Sequence, residues 1–369
     1  MAASTLAEVA KLAGVSPATA SRVLNGSART PGQEVSERVR AAAQALGYVA
    51  NAQAQALARS STRLIGLIVH DIADPYFSAI ARGVQAAART GQRTVMLATT
   101  DGTPAEEQQA AAAFVARRAE AIVIVGSRST REEDKEANAM LAAELDRYLS
   151  NGGQLGVVGH PLVGLGAAQN SSVLQVPNEE LARELAITLA SHILAASRQG
   201  RFILVGGPAD LTTSDDRLGG FQQGLASAGI TAEQILRVPF SRRGGHQAGE
   251  RIAELILEGA SDTDPHSTVP CIFAANDVMA IGVAAALRER GLRIPRDTLL
   301  AGFDDIEWLQ DVRPALTTVR LPLEDIGRQV TLRALAGEAS TPEDGPEETA
   351  SIDSLRGRII LRRSTSLST

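Results

Sequence analysis

The chain has 369 residues with 44% hydrophobic and 21% charged side chains, one cysteine and a formal net charge of −6. That length holds a small domain beside a large two-lobed one, and the ordinary apolar and charged fractions exclude a largely disordered chain. A single cysteine, Cys271 in an apolar run, excludes an intrachain disulfide and a cysteine-ligated zinc site; without a basic-then-apolar leader or an apolar span of about 18 residues, the expectation is a reducing cytoplasm and no membrane insertion.

Leu6, Val9, Ala10 and Ala13 recur at helical spacing, with Thr5 at the N-cap position and Glu8 three residues on, the pattern of a capping box. Gly14 should stop this helix. Ser16 caps a second with Pro17 in its first turn and Ala20, Val23 and Leu24 facing inward. So short a connection about a glycine predicts two helices crossing steeply, a helix-turn-helix. A third helix buries Val39, Ala42, Ala43 and Leu46 and ends at Gly47. The exposed start of the second helix carries short side chains (Ser16, Pro17, Ala18, Thr19) followed by Ser21, Arg22 and Asn25. Short residues let a helix sink into a major groove, hydroxyls can take phosphates, and Arg22 can reach a guanine edge. Residues 1–62 carry a formal charge of +3 against −9 for the remainder, which suits a chain that presents one end to DNA.

These residues resemble the head of the LacI (lactose/galactose repressor) family: Thr5–Ala10, then Ala13–Asn25 without a gap, then Arg38-Val39-Arg40, Ala45–Tyr48 and Asn51. The resemblance implies that positions 17, 18 and 22 read bases. Pro17 and Ala18 lack hydrogen-bonding side chains, so base reading would rest on Arg22 and on apolar contact with thymine methyls. Thr5, Ser16, Thr19, Ser21, Asn25, Tyr48 and Asn51 complete the expected DNA contacts in the head. Residues 48–62 follow as hinge and linker. Alanine and glutamine favour helix there, yet Leu57 is nearly the only sizeable apolar group, so a helix would need a partner to form; a plain flexible linker is the other reading. The resemblance makes this the hinge helix and Leu57 a wedge in the minor groove that kinks the duplex.

From residue 63 short apolar runs alternate with amphipathic stretches. Leu64–Val69, Val95–Ala98, Ala121–Val125 and Leu155–Val158 read as strands, and a second series is expected from Val173–Val176 through Phe202–Val205, Leu236–Phe240, Cys271–Ala274 and Leu299–Phe303. This predicts parallel α/β structure twice over, an effector and dimerisation core at 63–364. One doubly wound lobe is expected at about 63–170 plus 321–350, the other at about 171–320 plus 351–364, with Leu316–Arg320 crossing between them. Ligands of such sheets bind beyond the carboxyl ends of the strands. Asp74, Tyr76, Phe77, Asp101, Ser127, His160, Arg217, Phe240, Asn276 and Asp304 stand there, carboxylates, an amide and an arginine among ring faces, as a polyhydroxylated ligand requires. Each also has a plainer reading: Asp74-Pro75 and Asn276-Asp277 as helix caps, Arg217 as a surface charge.

The likeness to the same family continues through Asp74–Phe77, Asp216-Arg217, Ala275–Asp277, Gly302–Asp305 and Leu316–Val319. It implies a core like the periplasmic binding proteins, with Arg217, Asn276 and Asp304 as effector contacts and Tyr76, Phe77 and Phe240 as walls. His160 stands where sugar-binding members often have aspartate, and reads equally as a ligand donor or a satisfied loop histidine. Asp304-Asp305 could suggest a glycosidase, but no GxSxG, HExxH, Walker or dinucleotide fingerprint accompanies it, and Gly164-Leu165-Gly166 lacks a third glycine. A sugar-uptake receptor would share the core but not the head. The sequence therefore predicts a ligand-responsive repressor: double-stranded operator DNA, a carbohydrate effector and a second copy of itself as partners, and no cofactor or metal. The absence of terminal leucine heptads favours a dimer, and whether the effector induces or corepresses stays open.

Overall fold

The computed structural model describes residues 4–25, 31–48, 62–166, 170–259, 267–336 and 355–367. Its contacts divide into two compact units, Met1–Leu64 and Ile65–Thr369.

Among the described residues the first unit comprises the helices α1 (Leu6–Ala13), α2 (Pro17–Asn25) and α3 (Gln33–Ala45). The capping box at its start is present: Glu8 N–H donates to Thr5 Oγ1 at 3.3 Å, and Thr5 N–H donates to Glu8 Oε2 at 2.7 Å. Gly14 ends α1 at φ +65°, a left-handed conformation that costs a side-chain-bearing residue and lets the chain turn at once into α2. Val9, Ala10, Ala13, Ala20, Val23, Val39, Ala42 and Ala43 form the buried core. These are small side chains, so the helices pack closely around little apolar volume.

The second unit holds two parallel sheets. The first comprises β1 (Leu64–Val69), β2 (Thr94–Thr99), β3 (Ala121–Val125), β4 (Gln154–Val158) and β5 (Ser171–Leu174) in the order β2-β1-β3-β4-β5. Helices α4 (Pro75–Thr90), α5 (Pro104–Ala116) and α6 (Lys135–Ser150) connect the first four strands. β3 is buried throughout and pairs in parallel with β1 and β4, which explains its unbroken apolar sequence. The second sheet has the order β7-β6-β8-β9, from β6 (Gln199–Gly206), β7 (Gln234–Arg237), β8 (Thr268–Ala274) and β9 (Leu299–Ala301). α7 (Asn178–Ala195) leads into it, and α8 (Thr212–Ser227), α9 (Arg242–Gly259) and α10 (Asp277–Glu289) join its strands. The chain then returns through β10 (Thr318–Arg320) to α11 (Leu323–Ala336), which packs on α4, and comes back as β11 (Arg358–Ile360), antiparallel to β10.

One expectation needs correction. The run at Val173–Val176 does not open the second lobe: β5 pairs in parallel with β4, Leu155 opposite Ser171 and Val158 opposite Leu174, so it closes the first sheet. A strand's apolar pattern records that it is buried but not which sheet it joins. The change of lobe falls between β5 and α7, a few residues later than expected.

In the first lobe α4 and α11 touch backbone to backbone. A Cβ on Gly83 would lie 1.9 Å from the Glu324 carbonyl oxygen, and one on Gly327 would lie 2.1 Å from that of Ile80. Neither obstacle is a side-chain tip that could swing aside. Gly83→Ala should therefore force the helices apart and cost at least about 2 kcal/mol, within the usual range for overpacking. A melting temperature equal to that of the native chain would show that the pair tolerates separation.

Candidate functional site

The parallel order of both sheets aims the carboxyl ends of their strands at a shared cleft, and a cavity of about 570 Å³ lies there. Asp71, Asp74, Tyr76 and Phe77 reach it from the turn after β1 and the start of α4. Asp101 follows β2, Ser127 follows β3, Asn178 follows β5, Phe240 follows β7, Asn276 follows β8 and Asp304 follows β9. Nine of the ten expected effector residues thus line one cavity, because a parallel sheet gathers in space the loops that sequence keeps apart.

His160 is the exception and does not line this cavity. Its Nε2 lies 2.6 Å from Asp216 Oδ2, joining the loop after β4 to the start of α8, beside a separate shallow depression. In this structure His160 is a loop histidine with its own partner.

Arg217 occupies a different role from a simple ligand hand. It is 2% exposed, with Nε donating to Asn178 Oδ1 at 2.9 Å, Nη1 to the Ala275 carbonyl at 2.7 Å and Nη2 to Asp304 Oδ1 at 2.8 Å. Its guanidinium carbon lies 4.0 Å from the centroid of the Phe303 ring. The plainer reading as a surface charge is overturned; the residue ties together the ends of three strands while one side borders the cavity. Burial pushes the Asp304 carboxyl up to about 7, opposed by Arg217 and reinforced by Asp74. Burial also raises Asp74, and it raises Asp277 well above the usual carboxylate range, with Asp304 adding repulsion. Asp277 is held by Thr318 Oγ1 at 2.7 Å and the Ile306 N–H at 3.0 Å, so it braces the return crossover rather than the cavity.

The walls are aromatic: Tyr76 and Phe77 meet edge to face with centroids 5.0 Å apart, and the His70 ring lies 5.5 Å from Phe77. His70 was not singled out by sequence as a contact. Its Nε2 is 3.3 Å from Glu107 Oε1, and Glu107 Oε2 accepts from Arg128 Nη1 at 2.7 Å, with both charged partners 3% exposed. Burial would raise Glu107, but the Arg128 charge and the His70 hydrogen bond outweigh it and hold the carboxyl below its ordinary value. No sequence signal joins three residues so far apart. Asp71, Asn178, Arg131 and Asp134 are further lining residues, and only their positions after strands could have announced them.

One edge of the cavity is sewn between the lobes. Thr130 N–H donates to the Asp210 carbonyl at 2.9 Å, Thr212 N–H to the Arg128 carbonyl at 3.0 Å, and Thr213 N–H to Ser127 Oγ at 3.0 Å. Ser127 is therefore shared between lining the cavity and holding the lobes together.

In the head, Ser16, Pro17, Ala18 and Arg22 are exposed, Thr19 and Ser21 half-buried. Ser16 Oγ accepts from the Thr19 N–H at 3.1 Å, and the Thr5 hydroxyl is spent on Glu8, so both serve as helix caps. Tyr48 packs against the head's core with part of its surface free. Asn25 is the last residue of α2, while Asn51 and Leu57 lie outside the described residues.

Comparison with known proteins agrees with both units. Residues 5–51 match the bacterial regulatory proteins of the lacI family, and residues 190–365 match a periplasmic binding protein-like domain. The ribose operon repressor of Halalkalibacterium halodurans is 30% identical over 323 residues, which cover 88% of this chain and 87% of that protein. The HTH-type transcriptional regulator GalR of Escherichia coli is 31% identical over 336 residues, covering 90% and 88%. Among solved structures, the lac repressor dimer bound to operator and the anti-inducer ONPF superposes with a TM-score of 0.75 at 24% identity, covering 99% of both chains. A LacI family regulator from Enterococcus faecium with bound ribose gives a TM-score of 0.58 at 24% identity, covering 82% of this chain and 98% of that one.

The raised carboxyl of Asp304 carries a pH dependence. An unfolded aspartate titrates near about 4, so between about 4 and about 7 the folded chain holds more protons than the unfolded one. This contribution to stability is full below the unfolded value and lost as pH rises through about 7. The melting temperature of the ligand-free protein should thus fall between pH values of about 5 and about 8, and less steeply in Asp304→Asn. Identical slopes in calorimetry of the two proteins would remove Asp304 from this account.

Proposed function

Because the chain belongs to the LacI family of bacterial regulatory proteins, we propose that it is a repressor that binds a palindromic operator as a homodimer and changes its DNA affinity when a small carbohydrate occupies the cleft. It is a DNA-binding transcription regulator rather than an enzyme. The observation that carries the DNA half of this reading is α2, whose exposed first turn is made of short side chains with Arg22 one turn later. A helix so trimmed can lie deep in the major groove, where Arg22 can pair with the O6 and N7 of a guanine while hydroxyls meet phosphates. Leu57 remains the proposed minor-groove wedge of the hinge, and Asn51 a further proposed DNA contact.

The cleft supports the effector half. Carboxylates and amides gathered around ring faces suit vicinal hydroxyls and the apolar face of a sugar ring. Asp74, Tyr76, Phe77, Asp101, Ser127, Phe240, Asn276 and Asp304 are the contacts we assign, with Arg217 bordering the ligand and fixing the groups that touch it. For the dimer, β2 is an edge strand of the first sheet and leaves Met96 and Leu97 39% and 42% exposed, an apolar edge that a second copy can cover. Among the described residues no helix is long and apolar enough to cross a membrane. The site of action that follows from operator binding is the nucleoid, in the cytoplasm.

The mechanism is linkage. An effector that favours one arrangement of the lobes lowers or raises operator affinity by the same factor by which operator changes effector affinity. Selection of binding sites from random duplex DNA should return sequences with dyad symmetry; sites without it would remove the dimeric reading. Against the selected operator Arg22→Ala should lose about 1–3 kcal/mol and tolerate changes at one base pair per half-site. Phe240→Ala should bind operator as the native chain does and lose its response to sugar, as read by fluorescence anisotropy. Release or tightening of DNA on adding sugar decides between inducer and corepressor. Arg217→Ala is a poor probe of the cleft, since it leaves Asp304 and Asn178 without their buried partner.

A further inference from the structure

The charge of the cleft narrows the effector further, on the premise that a polyhydroxylated ligand binds there. Six carboxylates line the cavity, from Asp71, Asp74, Asp101, Glu133, Asp134 and Asp304, against the guanidinium groups of Arg131 and Arg217. Arg217 is fully committed and Arg131 only in part. Arg217 is paired with Asp304, and Arg131 leans on Glu133 at 3.8 Å while its Nε donates to the Ala209 carbonyl at 3.3 Å. Among the described residues no ion pair engages Asp71, Asp74, Asp101 or Asp134. The cavity therefore presents an excess of negative charge in a partly enclosed space, where screening by salt is weak.

Helix N-termini could in principle reverse this, since several point at the cleft and such ends attract anions. Most are already answered, and α7, which starts at Asn178 without a side-chain cap, carries Glu179 and Glu180 in its first turn. Asp74 Oδ1 takes the Tyr76 N–H at 2.9 Å at the start of α4, and Pro75 supplies no donor there. Thr103 caps α5, which opens with Pro104 and carries Glu106 and Glu107 in its first turn. Asn276 Oδ1 takes the Met279 N–H at 2.8 Å and Asp277 follows it in α10. The Thr213 N–H of α8 is spent on Ser127. What the cavity offers in charge is chiefly carboxylate acceptors, while its other donors are neutral: the amides of Asn178 and Asn276 and hydroxyls such as those of Tyr76 and Ser241.

We infer that this cleft accepts an uncharged or amine-bearing polyol and excludes anionic effectors, sugar phosphates, uronic acids and nucleotides among them. Hydroxyl and ammonium groups bring the donors that the carboxylates lack. A phosphate would meet like charge from most of the lining, with the partly engaged Arg131 alone to answer it.

The test uses the full-length protein and matched sets of sugars. Each set holds a common hexose or pentose, its amino-deoxy derivative, its phosphate ester and, for hexoses, the uronic acid. Binding is read by thermal shift and then by calorimetry. The expected result is a rise in melting temperature with the neutral or amino member of at least one set, and affinity at least about 100-fold weaker for the phosphate ester of that sugar. Asp101→Asn should narrow the gap between the members, which a contact through shape alone would not do. A phosphate ester or uronate that binds as tightly as its parent overturns the inference while leaving the carbohydrate reading intact. Silence from every set overturns both, and marks the carbohydrate reading as the part that failed.

Discussion

The buried guanidinium of Arg217 is the interaction on which the cleft depends. An unpaired cation in so dry a place would cost several kcal/mol, so it must be answered from every side. The answers come from separate parts of the fold: Asn178 beyond β5, the Ala275 carbonyl beyond β8, Asp304 beyond β9 and the Phe303 ring. Those strand ends are thereby held at fixed separations, and the groups between them are fixed in turn. Asp304 can stand in the cleft as a carboxylate only because Arg217 offsets the burial and the repulsion from Asp74 that raise its pKa.

A second network holds the other lobe. Glu107 and Arg128 form a buried ion pair beneath the cavity wall with the His70 ring beside it, and the Arg128 backbone carbonyl accepts from Thr212 of the second lobe. The lobes thus meet through backbone hydrogen bonds beside the cavity and through His160 and Asp216 farther out. Each is individually worth about 0.5–1.5 kcal/mol, small enough to be exchanged for contacts with a ligand. Rigid strand ends joined by weak contacts between lobes is an arrangement in which a ligand can alter how the lobes meet without disturbing the sheets.

Much of this was legible in the sequence because parallel α/β structure converts position into proximity. Once β1, β2, β3, β7, β8 and β9 are recognised from their apolar runs, the residues after them must converge, and Asp74, Asp101, Ser127, Phe240, Asn276 and Asp304 did. Thr5, Glu8 and Gly14 were equally readable, since capping and left-handed turns are local chemistry. What escaped depends on contacts distant in sequence. The membership of β5 is set by pairing with β4, the direction of His160 by an aspartate 56 residues away, and the Glu107–Arg128 pair by the fold of a whole lobe. Arg217 was found for its place but not for its work: a position beside a cleft does not tell whether a cation serves the ligand or the protein.

The head poses the opposite physical problem to the core. Among the described residues its buried apolar set consists of alanines and valines, and a domain so short buries only a modest share of its surface. The capping box on α1 and the turn at Gly14 supply local stability without adding bulk, each worth about 0.5–2 kcal/mol at most. A domain stabilised by so little gains proportionately more from binding DNA, by the linkage that lets any ligand of the native state stabilise it. Under the proposed repressor reading, an effector acting on the core needs to withhold only about 1.4 kcal/mol of the binding free energy to change operator affinity tenfold.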